Sequence, residues 1–142
     1  MIMNLSEHFT YRELTYSSTA EANNITNTPD AHQLENLIRL CETVLEPVRI
    51  EFNEQIFVTS GFRNPILNRL VGGSNTSDHK DGKAADIKCN ENGKLFRLIE
   101  KMIKDGEIEV GQLIWEKGDN KNPQWIHISL PNNRHKNEII RL

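Results

Sequence analysis

Residues 74–88, SNTSDHKDGKAADIK, set a serine, a histidine, a glycine and an aspartate along a polar loop that turns abruptly into an apolar run. An imidazole and a carboxylate are ligand types for a divalent cation such as zinc, and a catalytic zinc takes three protein donors and keeps a fourth position for water. Seven residues apart, His79 and Asp86 would stand about 10 Å apart along a helix, too far to share one ion, but they suit a loop feeding a strand, with Gly82 between them free to take positive φ at the bend. A third donor is needed, and His127 is the best candidate. In WIHISL, strand alternation turns Ile126 and Ile128 to one face and leaves His127 to project with Trp125 and Ser129. Taken singly, each residue has a plainer reading: a histidine in a strand is more often a hydrogen-bonded structural residue, and Asp86 would equally serve as a turn cap. A calcium loop is excluded, because D-x-[DN]-x-[DN]-G is absent and no glutamate follows at the required distance. His8, His32 and His135 lie in polar segments and read as solvated histidines.

The elements that must position these groups are legible in outline. The first thirty residues are polar and loop-like, and NTPDAHQ reads as a helix start with Thr28 as cap and Pro29 at the first helical position. Leu34, Leu37, Ile38, Cys41, Val44, Leu45 and Val48 then recur at helical spacing, and Pro47 should kink or end that helix. A short strand, Ile56 to Thr59, turns at Ser60 and Gly61; NPILNRLVGGSN is a brief helical turn ended by Gly72 and Gly73. AADIKC is a second strand, and GKLFRLIEKMIKDG a second amphipathic helix through Leu95, Leu98, Ile99, Met102 and Ile103. GQLIWE and QWIHISL, joined by KGDNKNP, predict an antiparallel hairpin. The class is α+β with a small, mostly antiparallel sheet, in one domain over 1–142 with a polar N-terminal segment (1–28) and a C-terminal tail (131–142).

Composition narrows the function. Seventeen basic and twenty acidic side chains, net charge −3, are scattered along 142 residues, so no broad field steers the chain onto nucleic acid. Cys41 and Cys89 have no C-x-x-C spacing and read as small buried hydrophobes, with a bridge between them left open. MIMNLSEHFT lacks the basic start and apolar run of a secretory signal, and no segment approaches a membrane span, so the chain is expected in the cytoplasm when made.

Ser77, His79, Gly82, Ala84 and Asp86 together spell S-x-H-x-x-G-x-A-x-D. This resembles the zinc-dependent D-Ala-D-Ala carboxypeptidase and L-alanoyl-D-glutamate endopeptidase family of bacterial cell-wall enzymes and phage endolysins. S-G-x-R (Ser60, Gly61, Arg63), a late W-x-H (Trp125, His127) and LN followed by VGG fit as well, so the likeness runs from the first helix to near residue 130. The resemblance implies a hedgehog/DD-peptidase-like fold with helices on one side of the sheet, and Zn2+ held by His79, Asp86 and His127. It also implies that Arg63 binds a substrate carboxylate, and that the substrate is the stem peptide of peptidoglycan. Ser77 either bonds the substrate or braces the ligand loop.

Many relatives carry a glutamate three residues before the last zinc histidine, or a histidine two before it. Here Gln124 and Trp125 stand there, and neither side chain accepts a proton near neutral pH. Glu116 is the substitute: the hairpin sets it across from Gln124, near the relatives' glutamate, although a slip of one residue would turn it to the other face. Its plainer reading is a solvated strand-end carboxylate; Asp78 and Asp81, in the loop of His79, are lesser candidates. The leading expectation is a zinc metallopeptidase cutting the stem peptide, as carboxypeptidase or endopeptidase, released onto the wall during phage lysis. The alternative is a non-catalytic zinc-containing module of the same fold that binds peptidoglycan or a protein.

Overall fold

A computed structural model describes residues 3–142 of the chain. The helical periodicity of 34–48 becomes α3 (Ala31–Leu40), followed by one π-helical turn (Cys41–Leu45) and α4 (Glu46–Phe52). The start lies two residues later than expected from Thr28. Asp30 accepts the Gln33 N–H (2.8 Å) and the Gln33 side chain accepts the Asp30 N–H (2.8 Å), a reciprocal cap that Thr28 has no partner to make. Pro47 does not end the helix either. A proline ring collides with the carbonyl four residues back, and the widened turn just before it, with Glu46 N–H reaching Cys41 O, carries the helix on to Phe52. Asn53, in the left-handed region at φ 56°, ends it.

Five strands form one sheet: β1 (Phe57–Ser60), β2 (Ala84–Lys88), β3 (Gln112–Glu116), β4 (Trp125–Ser129) and β5 (Glu138–Arg141), in the order β1-β2-β4-β3-β5. All neighbours are antiparallel except β5, which lies parallel to β3. The expected α+β architecture is therefore present, but part of the segment read as a tail is an edge strand. EIIR has only four residues and no alternation, so nothing local marks it as β structure.

Period-two alternation divides the sheet. Ala85, Ile128 and Leu113 are paired across three strands on the face that packs against α3, α4 and α6 (Asn92–Lys104), with Leu37, Val44, Val48, Phe96 and Ile99 buried opposite. Asp86, His127 and Ile114 form the next row and point to the other face. Between β1 and β2 lie α5 (Pro65–Leu70) and a 3-10 turn (Asp78–Asp81). Cys41 and Cys89 are free thiols; burial pushes the Cys41 thiol up to about 12.

The opening segment is not loop alone. Two short helices, α1 (Tyr11–Thr15) and α2 (Ser18–Ala22), are capped by Thr10 and Ser17, and Phe9 and Leu14 are fully buried in the main core. Leu14 O accepts the Phe62 N–H (2.8 Å), and a Cβ at Gly61 would stand 2.2 Å from that oxygen, so the approach requires glycine. Glu46 anchors the same segment from α4, accepting from Ser6 Oγ (2.6 Å) and the His8 N–H (2.7 Å) as well as pairing with the His8 ring. Burial raises the Glu46 pKa, and these hydrogen bonds outweigh it and bring it below the ordinary value. A depressed carboxyl pKa contributes stability above the unfolded-state pKa and loses it as pH falls through the folded one. Glu46→Ala is expected to cost about 2 kcal/mol in chemical denaturation at neutral pH, with the difference from the parent shrinking in acid.

Candidate metal centre

Three backbone contexts bring the donors together. His79 sits on the 3-10 turn, whose cap Ser77 accepts the His79 N–H (3.2 Å); Asp86 and His127 are direct cross-strand partners on β2 and β4. His79 Nδ1 lies 2.7 Å from Gly61 O, which can only accept, so that nitrogen carries the proton and Nε2 presents its lone pair. Nε2 lies 3.3 Å from Asp86 Oδ1, and His127 Nδ1 lies 3.2 Å from the same oxygen. The donor atoms of all three residues fall within 4.8 Å of one another. His79 is 2% exposed, and Asp86 and His127 are half-buried at the foot of a cleft. Burial raises the Asp86 pKa, but when the two imidazoles are protonated, hydrogen bonds from His127 and His79 and their positive charge hold its carboxyl well below the usual range.

The turn that carries His79 depends on Gly82, at φ 74°, where a Cβ would meet Gln33 O at 2.5 Å. Gly82→Ala combines a left-handed alanine with a collision against α3; the backbone strain alone costs about 1–3 kcal/mol. The variant is expected to show a lower Tm and, because His79 rides on the same turn, weaker zinc retention after dialysis.

Arg63 follows β1, and its backbone N–H donates to His79 O (3.0 Å). Its guanidinium touches Ser77 Oγ at 3.5 Å, while Nε is buried without a hydrogen-bond partner. Burial lowers the Arg63 pKa, partly offset by the charge of Asp86. Ser77 therefore braces the His79 turn and meets Arg63 with one hydroxyl.

Glu116 lines the same cleft, of about 320 Å³, but through a different register from the one expected. It pairs with Trp125, not Gln124, and since cross-strand partners share a face, it stands on the side of His127. A Gln124 pairing would have set it on the core face with Ile126. Burial and the neighbouring Asp86 charge raise the Glu116 pKa, with His127 and Lys117 pulling the other way. Asp78 also lines the cleft, its two oxygens taken by Asn132 Nδ2 (3.2 and 3.3 Å).

Arg134 and His135 escape the sequence reading as wall residues, because they lie in the segment read as a tail. His135, expected to be solvated, is half-buried in the cleft wall and pairs with Glu138. No local pattern marks them, because their place depends on β5 returning beside β3. A second donor group, Glu7, His8 and Glu46, lies near the N-terminus, but Glu46 is already engaged by Ser6 and His8.

The donor set fits zinc on physical grounds. With Nδ1 protonated, His79 aims a lone pair at a carboxylate oxygen, an arrangement that requires either a second ring proton or a cation between them. Two imidazoles and one carboxylate are a zinc-type set that leaves a position open.

The sheet carries helices on one face and, in a cleft on the other, a His–Asp–His cluster of metal-donor type. The family model of Peptidase M15 matches residues 7–129, and the chain belongs to that family, the zinc D-Ala-D-Ala carboxypeptidase-like peptidases. No curated protein matches the chain.

Proposed function

We propose that this peptidase is a zinc metallopeptidase that hydrolyses a peptide bond in the stem peptide of peptidoglycan, with the whole chain acting as one domain. The observation that carries the reading is the convergence of His79 Nε2 and His127 Nδ1 on one oxygen of Asp86. These three residues would hold the ion, which when bound supplies Lewis-acid activation of water and of the scissile carbonyl.

The chain's own groups do the rest. Glu116, on the donor face and with its pKa raised, takes a proton from the attacking water and passes it to the leaving amine. Arg63 offers a planar fork to a substrate carboxylate, and its unpartnered Nε is the group such a ligand would satisfy. Ser77 holds Arg63 and the His79 turn in register. Stem peptides carry the carboxylates this arrangement asks for.

The test is a digest of purified peptidoglycan by the zinc-loaded protein, with fragments identified by mass. New amine and carboxyl termini at one kind of peptide bond are expected. An unchanged fragment pattern would instead favour the binding-module reading, in which the cleft holds wall peptide without cutting it.

A further inference from the structure

One wall of the cleft has no task in that reaction. Between β4 and β5 the chain turns at residues 132–135, where Asn132 Oδ1 accepts the N–H groups of Arg134 (2.8 Å) and His135 (2.9 Å), and Asn132 N–H returns to His135 O (3.0 Å). Two links fasten this turn to the loop that carries His79. Asn132 Nδ2 donates to both oxygens of Asp78, and Arg134 Nη2 donates to Thr76 O at 3.0 Å. The turn thereby sets Arg134 in the cleft wall beside Thr76, one residue from the Ser77 that meets Arg63.

Two guanidiniums thus border one cleft at adjoining residues of a single loop. Among the described residues neither has a carboxylate at ion-pair distance, and the Arg134 guanidinium donates to one neutral carbonyl, Thr76 O. A guanidinium has five N–H donors in a fixed fork, so most of its capacity remains for a ligand. The cleft acids, Asp78, Asp86 and Glu116, are nearly matched by the two arginines, and a divalent cation held by the cluster would tip the balance to positive. Such a site favours a doubly anionic substrate. The family match ends at residue 129, so this wall lies outside the part shared with the family model.

Resting on the peptidase reading above, the geometry points to Arg134 as a second anion-reading residue: the substrate carries two carboxylates, one met by Arg63 and the other by Arg134. The probes are four forms of the pentapeptide L-alanyl-γ-D-glutamyl-L-lysyl-D-alanyl-D-alanine, with the glutamate α-carboxyl and the C-terminal carboxyl each free or amidated. Binding is measured by calorimetry on zinc-loaded Glu116→Gln protein. Each amidation is expected to weaken binding about fivefold, the upper range for an exposed ion pair. Adding Arg134→Gln should make one of the two amidations silent and leave the other's effect in place. Arg134→Glu, which reverses the charge, should bind the amide at that position better than the acid. The assignment is overturned if both variants keep both acid preferences, or if they weaken all four peptides by one common factor. Cleavage of the same peptides by the unsubstituted protein, read by mass, is a separate matter: its absence removes the hydrolytic reading and leaves the acid-against-amide comparison standing.

Discussion

Glu116→Gln is expected to lower kcat for stem-peptide hydrolysis by about a thousandfold, within the range that a positioned general base contributes, while zinc content and Tm stay at the parent values. The amide keeps the size and much of the polarity of the carboxylate but has no usable proton affinity, so the substitution removes the proton transfer and little else. Steady-state kinetics with metal analysis on the same sample is the measurement; a kcat near the parent's would transfer the base role elsewhere in the cleft. The titration of Glu116 has a definite sign too. Burial, with the charge of Asp86, raises its pKa, so in metal-free protein a carboxyl NMR signal absent from Glu116→Gln should titrate above the ordinary glutamate range. Adding zinc should move that midpoint down, because a nearby cation favours the ionised form.

Asp86→Asn should abolish both zinc retention and turnover. Asp86 Oδ1 is the atom on which both imidazoles converge, and replacing it with an amide leaves one anionic donor fewer between two rings whose centroids are 5.2 Å apart. Since loss of an outer-shell partner alone costs about 10–100-fold in metal affinity, loss of a ligand should exceed about a hundredfold. Equilibrium dialysis against a zinc indicator reads this directly, and retention equal to the parent's would sink the three-donor site. The stability consequence has its own sign. Asp86 is held well below its ordinary pKa by the two histidines, so in the metal-free protein it contributes stability above the unfolded-state pKa and loses that contribution as pH falls. Metal-free Asp86→Asn should therefore lie furthest below the parent near neutral pH and approach it in acid.

Arg63, Ser77 and the His79 turn form one mechanical unit with the opening segment. Leu14 O holds Phe62, Gly61 O orients His79, and the Arg63 N–H bonds His79 O, so buried groups of the first thirty residues reach the donor cluster through the S-G-x-R stretch. Phe9 and Leu14 of this polar segment lie in the same core.

What the amino-acid sequence determined alone is whatever acts over a few residues. The spacing of His79, Gly82 and Asp86, the apolar stripes that became α3 and α6, and the turn chemistry between β3 and β4 are local, and each is visible as a period or a motif. Tertiary structure decided the rest. The π turn that carries the helix past Pro47 and the pairing of Glu116 with Trp125 depend on which of several nearby arrangements packs best. The arrival of Arg134 and His135 in the cleft is the extreme case, because it needs β5 to lie parallel to β3. Strand register and long-range pairing are selected by burial across the whole sheet, where a shift of one residue exchanges the core face for the cleft face, and no stretch of neighbouring residues contains that choice.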